Sequence, residues 1–295
     1  MDPVALDRFD EEKNRTVGGT LYLVATPIGN LSDLSPRAVK VLSEVDFIAA
    51  EDTRNTAKLL AFFDIHRPMV SYFEHNKRER GEVIVARLSA GESCALVTDA
   101  GTPAISDPGE DLVALCAERG IPVTSVPGPV ASITALTLSG LPTGRFCFEG
   151  FLSVNKAERR DRLEELRTER RTMLFHEAPH KLRATLADLS AAFGADRRIA
   201  LCRELTKRNE EVLRMTLGEA VSYYAAVDPR GEFVLVVGGA PKTAPSNGAF
   251  WSDMDIPAHV AFYLAQGLSK SDAIKKAAKD RGVPKNTVYQ QVLDK

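Results

Sequence analysis

Cysteine is scarce and scattered in this chain of 295 residues: Cys94, Cys116, Cys147 and Cys202 stand far apart, with no pair at metal-ligand spacing. That excludes a disulfide scaffold and reads the four as small, buried apolar residues. The five histidines are equally dispersed, with no HxxxH pair on an expected helix, so no metal is expected. No apolar run approaches the roughly 18 to 20 residues of a membrane span. The opening stretch MDPVALDRFDEEKNRTVGG carries nothing like a secretion signal, so a cytoplasmic protein is expected. Charge is nearly balanced, 38 Lys and Arg against 40 Asp and Glu, a net of -2. Whole-chain electrostatics therefore announces no nucleic-acid partner, and any such contact must rest on local patches. The loops also lack GxGxxG and GxxxxGK followed by Ser or Thr, which removes the usual dinucleotide and triphosphate cradles.

What is present is a long alternation of short β-branched apolar runs with amphipathic stretches. After a polar leader, residues 1–19, the runs LYLVA, VDFIAAE, MVSYF, CALVTDA and PVTSVPG are spaced by helices expected over Ser35–Leu42, Arg54–Phe63, Arg78–Ala90 and Gly109–Arg119. Strands spaced by helices predict a mainly parallel, doubly wound sheet. A second set follows FCFEGFL: a helix over Ala157–Glu169, strand RTMLFHE, a helix over Pro179–Phe193, strand RIALCREL, a charged segment, and strand RGEFVLVVGGA. Its expected form is α/β or α+β. GGAPKTAPSNGAFWSDMD then reads as a linker, and the rest as helical. The expected fold class is thus α/β, with an N-terminal α/β domain over 20–152, a second over 153–240, a linker over 241–254, and a helical module over 255–295.

Three strands of the first set end in comparable loops: ATPIGN, TDAGTPAISDPG and VPGPVASITA. In open α/β sheets the ligand crevice lies beyond the carboxyl ends of the strands, so the spacing predicts one shared pocket. Glycine admits a ligand close to the backbone, and proline holds the loop without freedom to lose on binding. The only charged side chains in these loops are Asp99 and Asp107, which suits a cationic or neutral ligand better than a polyphosphate. The sulfonium of S-adenosylmethionine fits that description. Tight turns capped by Asp107 and Ser35 explain one such loop as well, and three together less readily.

TPIGNLSDLSPRAV, EDTRNT, LVTDAGTPAISDPG, PGPVASITAL, SGLPTGRFCFEGFL, FHEAPHKL and RGEFVLVV, in this order, resemble the tetrapyrrole-methylase superfamily of S-adenosylmethionine-dependent methyltransferases. More closely they are similar to the ribosomal RNA small subunit methyltransferase I family, which methylates the ribose 2'-hydroxyl of a cytidine in 16S rRNA. The likeness runs over Thr20–Val237. Thr-Pro after the first strand, where the porphyrin enzymes have Gly-Asp-Pro, points to the RNA branch. The resemblance implies homodimers with a cofactor cleft between two α/β domains. It implies that S-adenosylmethionine lies against Pro27, Gly29, Asp99, Gly101, Ile105, Ser106, Ser132 and Ile133, with Phe175, Ala178, Leu205 and Phe233 contributed by the second domain.

A ribose hydroxyl is a poor acid, so a carboxylate, histidine or lysine is expected to take or stabilise its proton. Glu51, Asp52, His176, Glu177, Glu204 and Lys207 are the candidates. Asp52 comes first, at the end of strand VDFIAA beside Arg54 as an RNA contact, with Glu204 and Lys207 behind it. The competing reading of Asp52 is a helix-capping acid paired with Arg54, and that of His176 a packed core residue.

For RNA, KAERRDRLEELRTERR mixes seven basic residues with five acids, the pattern of a solvated helix face, whereas Lys207 and Arg208 are free to meet phosphate. The tail GLSKSDAIKKAAKDRGVPKNTVYQQV has helix-turn-helix spacing. Ser269 or Ser271 caps one helix, Ala273, Ile274, Ala277 and Ala278 form its apolar face, and Val288, Tyr289 and Val292 pack back from the next. Lys275, Lys276, Lys279 and Lys285 give it a modest basic footprint for 16S rRNA of the small subunit. Two rival functions remain open from the residues: methylation of a tetrapyrrole or other small molecule, and a ligand-sensing DNA regulator, for which KNTVYQQVLDK offers few base-reading side chains.

Overall fold

The structure, a computed structural model, describes residues 15–241, 251 and 254–293. Most of the expected leader and of the expected linker lies outside the described residues. The chain divides between Gly239 and Ala240 into two compact units.

The first unit holds two five-stranded sheets. Strands β1 (Leu21–Val24), β2 (Phe47–Ala50), β3 (Met69–Ser71), β4 (Cys94–Val97) and β5 (Val123–Val126) pair in parallel in the order β3-β2-β4-β1-β5. β2 and β4 are buried along their whole length, which is why they read as unbroken apolar runs. Helices α1 (Pro36–Glu44) and α2 (Thr53–Phe62) cover one face, against Tyr22, Val24 and Ile48. Helices α3 (Lys77–Ser89) and α4 (Gly109–Glu118) cover the other, against Leu21, Phe47 and Leu96. The chain thus leaves β1 toward one face and β4 toward the opposite one although the two strands are neighbours, and such a switch point opens a crevice at their carboxyl ends.

The second sheet is mixed. Strands β6 (Phe146–Gly150), β7 (Thr172–Glu177), β8 (Arg198–Arg203), β9 (Glu211–Thr216) and β10 (Phe233–Val237) lie in the order β6-β7-β10-β8-β9, with only β6 and β7 parallel. Helices α6 (Lys156–Leu166), α7 (Pro179–Phe193) and α8 (Leu217–Ala226) supply the core on one face with Phe175, Phe233 and Leu235. On the other face lies a helix expected as loop, α5 (Ala131–Leu138), whose Ala135 and Leu136 pack on Leu174, Cys202, Val234 and Val236. Phe146–Gly150, taken from sequence with the first domain, pairs with β7 instead. The segment taken as merely charged contains β9 and α8, the helix opened by a capping box between Thr216 and Glu219.

Helices α9 (Ile256–Ala265), α10 (Lys270–Arg281) and α11 (Lys285–Leu293) form the second unit around Val260, Tyr263, Ala273, Ile274, Ala277 and Val288. Ser269 caps α10 and Gly282, in the left-handed region, ends it. Tyr289, expected to pack back, is 47% exposed. It directly follows the fully buried Val288, about 100° further round the helix. No described helix is long and apolar enough to cross a membrane.

Candidate functional site

The loops after β1, β4 and β5, from three adjacent strands, are joined to one another. Thr26 and Gly101 exchange backbone hydrogen bonds at 2.9 and 3.1 Å, and the Thr102 hydroxyl donates to the Pro129 carbonyl at 3.1 Å. Gly101 has φ 87°, and a Cβ there would stand 3.3 Å from Ile28 and 3.5 Å from the Pro129 oxygen. Asp107 organises the longest loop. Its carboxylate accepts from the backbone N–H of Ala104 (3.1 Å), Ile105 (3.1 Å) and Gly109 (2.7 Å). Ala104 and Ser106 are thereby held at φ 67° and 63°, a left-handed conformation that costs a side-chain-bearing residue about 1 kcal/mol or more. The polar loop is thus a fixed backbone scaffold.

The second sheet presents the turn after β8 to these loops. Leu205 packs with Ile28, and a Cβ on Gly29 would overlap the Lys207 side chain at 2.3 Å. Lys207 Nζ donates to Glu204 at 2.8 Å and to Glu232 at 2.9 Å, while the Glu232 N–H donates to Glu204 at 3.0 Å. Although burial works against the charged form, the bonds to Glu204 and Glu232 raise the lysine, and the Lys207 bond lowers Glu204. The pair is therefore an ammonium and a carboxylate at neutral pH, and neither is a ready base. Two atoms nearby are buried without a hydrogen-bond partner: Thr206 Oγ1, beside Gly29, and His176 Nε2. The His176 ring meets Phe148 and Phe151 edge-on, and burial lowers its pKa, so it is neutral.

Beyond β2 and β4 lie three acids with different surroundings. Asp52 caps α2 and is gripped by Arg54, accepting from its N–H at 2.8 Å, Nε at 3.1 Å and a terminal nitrogen at 2.9 Å. Those bonds push its pKa down to about 2, which weakens Asp52 as a base and matches the competing reading of a capping acid paired with Arg54. Glu51 accepts from the Thr98 hydroxyl at 2.7 Å. Asp99 accepts from the Asn55 amide at 3.4 Å and from the Asp52 backbone N–H, yet partial desolvation with the Glu51 charge raises its pKa. A cleft of about 330 Å³ opens here, lined by Thr26, Pro27, Gly29, Asn55, Lys58, Phe62, Thr98 and Asp99 among others.

The expected cofactor residues divide accordingly. Pro27, Gly29 and Asp99 line the cleft, Gly101 locks the loops, and Ile105 and Ser106 are exposed on the Asp107 loop. A Cβ on Gly150 would lie 3.5 Å from Ser106 Oγ. Ser132 is buried and Ile133 exposed in the first turn of α5, and Ala178 is half-buried before α7. Phe175 and Phe233 correct the expectation for their side chains. Both are buried on the far face of the second sheet, among α7 and α8, because alternate residues along a strand face opposite ways. Leu174, His176 and Val234 take the near face. Arg54 projects into solvent at 86% exposure from its ion pair, and Arg208 is exposed. Lys275, Lys276, Lys279 and Lys285 belong to the second unit, where Lys276 lies 4.6 Å over the Tyr263 ring and Lys285 reaches Ser271. Asn55, Lys58, Thr206 and Glu232 went unread in the sequence. Asn55 and Lys58 follow EDTR on one helix, and Glu232 was in plain view within RGEFVLVV.

Residues 20–221 match the family of tetrapyrrole (corrin/porphyrin) methylases. A protein of Synechocystis sp. named ribosomal RNA small subunit methyltransferase I is 48% identical over 94% of this chain and 98% of its own length. The Bacillus subtilis protein of that name is 45% identical over 92% of this chain and 93% of its own. This chain belongs to the ribosomal RNA small subunit methyltransferase I family. It is accordingly an S-adenosylmethionine-dependent methyltransferase. The fold is also that of a uroporphyrin-III C-methyltransferase from Thermus thermophilus complexed with S-adenyl homocysteine, at TM-score 0.53 and 19% identity, covering 74% of this chain and 97% of that one.

The crevice of this family member fits a sulfonium donor. The side chains at the strand ends are the acids Glu51, Asp52 and Asp99, which favour a cation. Gly29 and Gly101 leave room at the backbone, and Thr206 Oγ1 is a buried hydroxyl still without a partner. Pro27 and Gly29 line the cleft, and Thr206 Oγ1 lies beside Gly29.

Proposed function

We propose that this chain methylates the ribose 2'-hydroxyl of a cytidine in small-subunit rRNA, working in the cytoplasm as a homodimer. The observation that carries the reading is the rigid acidic crevice at the β1/β4 switch point, in a chain 48% identical over nearly its full length to a relative named for that RNA. When bound, S-adenosylmethionine supplies a methyl group on a positively charged sulfur. The rest is positioning, since reacting atoms held roughly 3 to 3.5 Å apart gain much of the rate by proximity. The loops clamped by Asp107 and by the Thr26–Gly101 pairing supply that rigidity. Lys207, held charged by Glu204 and Glu232, stabilises negative charge that develops on the acceptor oxygen. Arg54 and Arg208 meet the RNA backbone, as do the lysines of α10 and α11.

Transfer of radiolabelled methyl from S-adenosylmethionine to small ribosomal subunits lacking their modifications, followed by nucleoside digestion and mass spectrometry, tests this. The expected product is 2'-O-methylcytidine. Label on a base, or on a tetrapyrrole offered in parallel, overturns it.

A further inference from the structure

Methylating a ribose hydroxyl leaves a proton to be placed, and the following inference rests on that reading of the reaction. An acceptor has to be ionised, reachable from the cleft and not already occupied. Asp52 is saturated by three bonds from Arg54. Glu204 is occupied by Lys207 and by the Glu232 N–H. Glu177 is 4% exposed and spends its carboxylate on the Thr185 hydroxyl and the Ala178 N–H. Glu51 is turned to the Thr98 hydroxyl at 2.7 Å. His176 keeps a bare Nε2, but that atom is closed off from solvent and the ring is boxed by Phe148 and Phe151.

Asp99 differs from all of these. It is exposed, lines the cleft at the end of β4, has no cationic partner, and accepts only from Asn55 Nδ2, at a long 3.4 Å, and from the Asp52 backbone N–H among the described residues. Its neighbours in the wall are Thr26, Pro27 and Gly29, from the loop after β1.

We propose that Asp99 is the catalytic proton acceptor, oriented by Asn55 and tuned by Glu51, instead of a cofactor ligand. In the step, the O–H bond of the hydroxyl breaks and an O–CH3 bond forms. The methyl–sulfur bond breaks with its electron pair staying on sulfur, and the proton passes to an Asp99 carboxylate oxygen and from there to water. Partial desolvation and the nearby Glu51 and Asp52 charges raise Asp99 from its ordinary value, whereas the Arg54 bonds lower Asp52, so Asp99 is the stronger base of the two.

The test pairs methyl-transfer kinetics with a binding measurement on the full chain. Asp99→Asn keeps the shape and the Asn55 contact but cannot accept the proton. Its single-turnover rate on unmodified small subunits is expected to fall about 100-fold or more, while the dissociation constant for S-adenosylhomocysteine by calorimetry stays within about threefold. Glu51→Gln removes the charge that raises Asp99, so the acidic limb of its pH–rate profile is expected to move to lower pH. A loss of S-adenosylhomocysteine affinity as large as the loss of rate overturns the proposal and makes Asp99 a donor ligand. An Asp99→Asn rate within tenfold of wild type, with its acidic limb intact, overturns it as well. A wild-type chain that binds S-adenosylhomocysteine yet labels no ribose overturns the ribose-methylation reading and Asp99's role with it, a result distinct from either variant outcome.

Discussion

Replacing Asp107 with alanine removes one carboxylate and three hydrogen bonds, to the N–H groups of Ala104, Ile105 and Gly109. Bonds to a charged acceptor contribute roughly 1.5 to 3 kcal/mol each after exchange with water, so the loop conformation loses about 4.5 kcal/mol or more. Against it stand the left-handed Ala104 and Ser106, each costing about 1 to 2 kcal/mol. The bonds outweigh that strain, so without Asp107 the loop is expected to relax while β4 and α4, anchored by Leu96 and Leu112 in the core, stay in place. Binding the donor must then re-form the loop. If about 3 kcal/mol of ordering falls on binding, the affinity for S-adenosylhomocysteine drops roughly 100-fold. Calorimetry gives the affinity and a urea melt the stability. Asp107→Asn, whose amide oxygen still accepts, is expected to lie between alanine and wild type. An alanine variant that binds within threefold of wild type would refute the idea that this loop geometry holds the donor. A collapse of global stability would show that the carboxylate supports the core instead.

Three further outcomes are expected. Asp52→Asn keeps a good helix cap, and because Asp52 already sits at about pKa 2 under the grip of Arg54, the methyl-transfer rate should fall less than tenfold; a 100-fold loss in single-turnover kinetics would restore Asp52 as the base. Burial and the Arg281 guanidinium lower His259 despite the opposing Asp280, so the unfolded chain takes up the proton first; the second unit is stable above about pH 6.5 and weakens as pH falls below it. The chain's single tryptophan, Trp251, stacks 5.1 Å from His259, and its fluorescence should show a lower urea midpoint at pH 5.5 than at 7.5, a difference that His259→Gln shrinks. Lys275→Gln with Lys279→Gln should reduce the slope of log affinity for small-subunit rRNA against log salt by about 1 to 2; an unchanged slope would remove α10 from the RNA contact.

The parts of the fold legible in the sequence are those where local chemistry and tertiary structure agree. Gly-Pro punctuation after LYLVA, CALVTDA and PVTSVPG marked strand ends, and β1, β4 and β5 do lie side by side with their loops bonded together. Pro179–Phe193 was legible to the residue because proline opens the helix and Gly194 ends it. PGPVASITAL misled, since its proline and glycine read as loop although its last six residues begin a helix packed on the second sheet. β9 and α8 were hidden by the charge of KRNEE, yet Thr216 and Glu219 stood three apart as a capping box requires.

The site was legible as a place and not as a set of roles, for two physical reasons. β7 and β10 are buried on both faces, so TMLFHE and FVLVV show no alternation from which to read which side chains face the crevice. Phe175 and Phe233 were implied by the family resemblance, which does not give strand phase, and that phase sends their side chains to α7 and α8. The second reason is electrostatic. Asp52 and Asp99 each follow a buried strand, and nothing in EDTRNT or VTDAGT ranks one as the stronger base. Arg54, two residues on, folds back on Asp52 and holds its charge, whereas Asp99 is set beside Glu51 by the parallel pairing of β2 with β4, in which Ala50 stands opposite Val97. A proton affinity decided by a neighbour 48 positions away arises only once the sheet has formed.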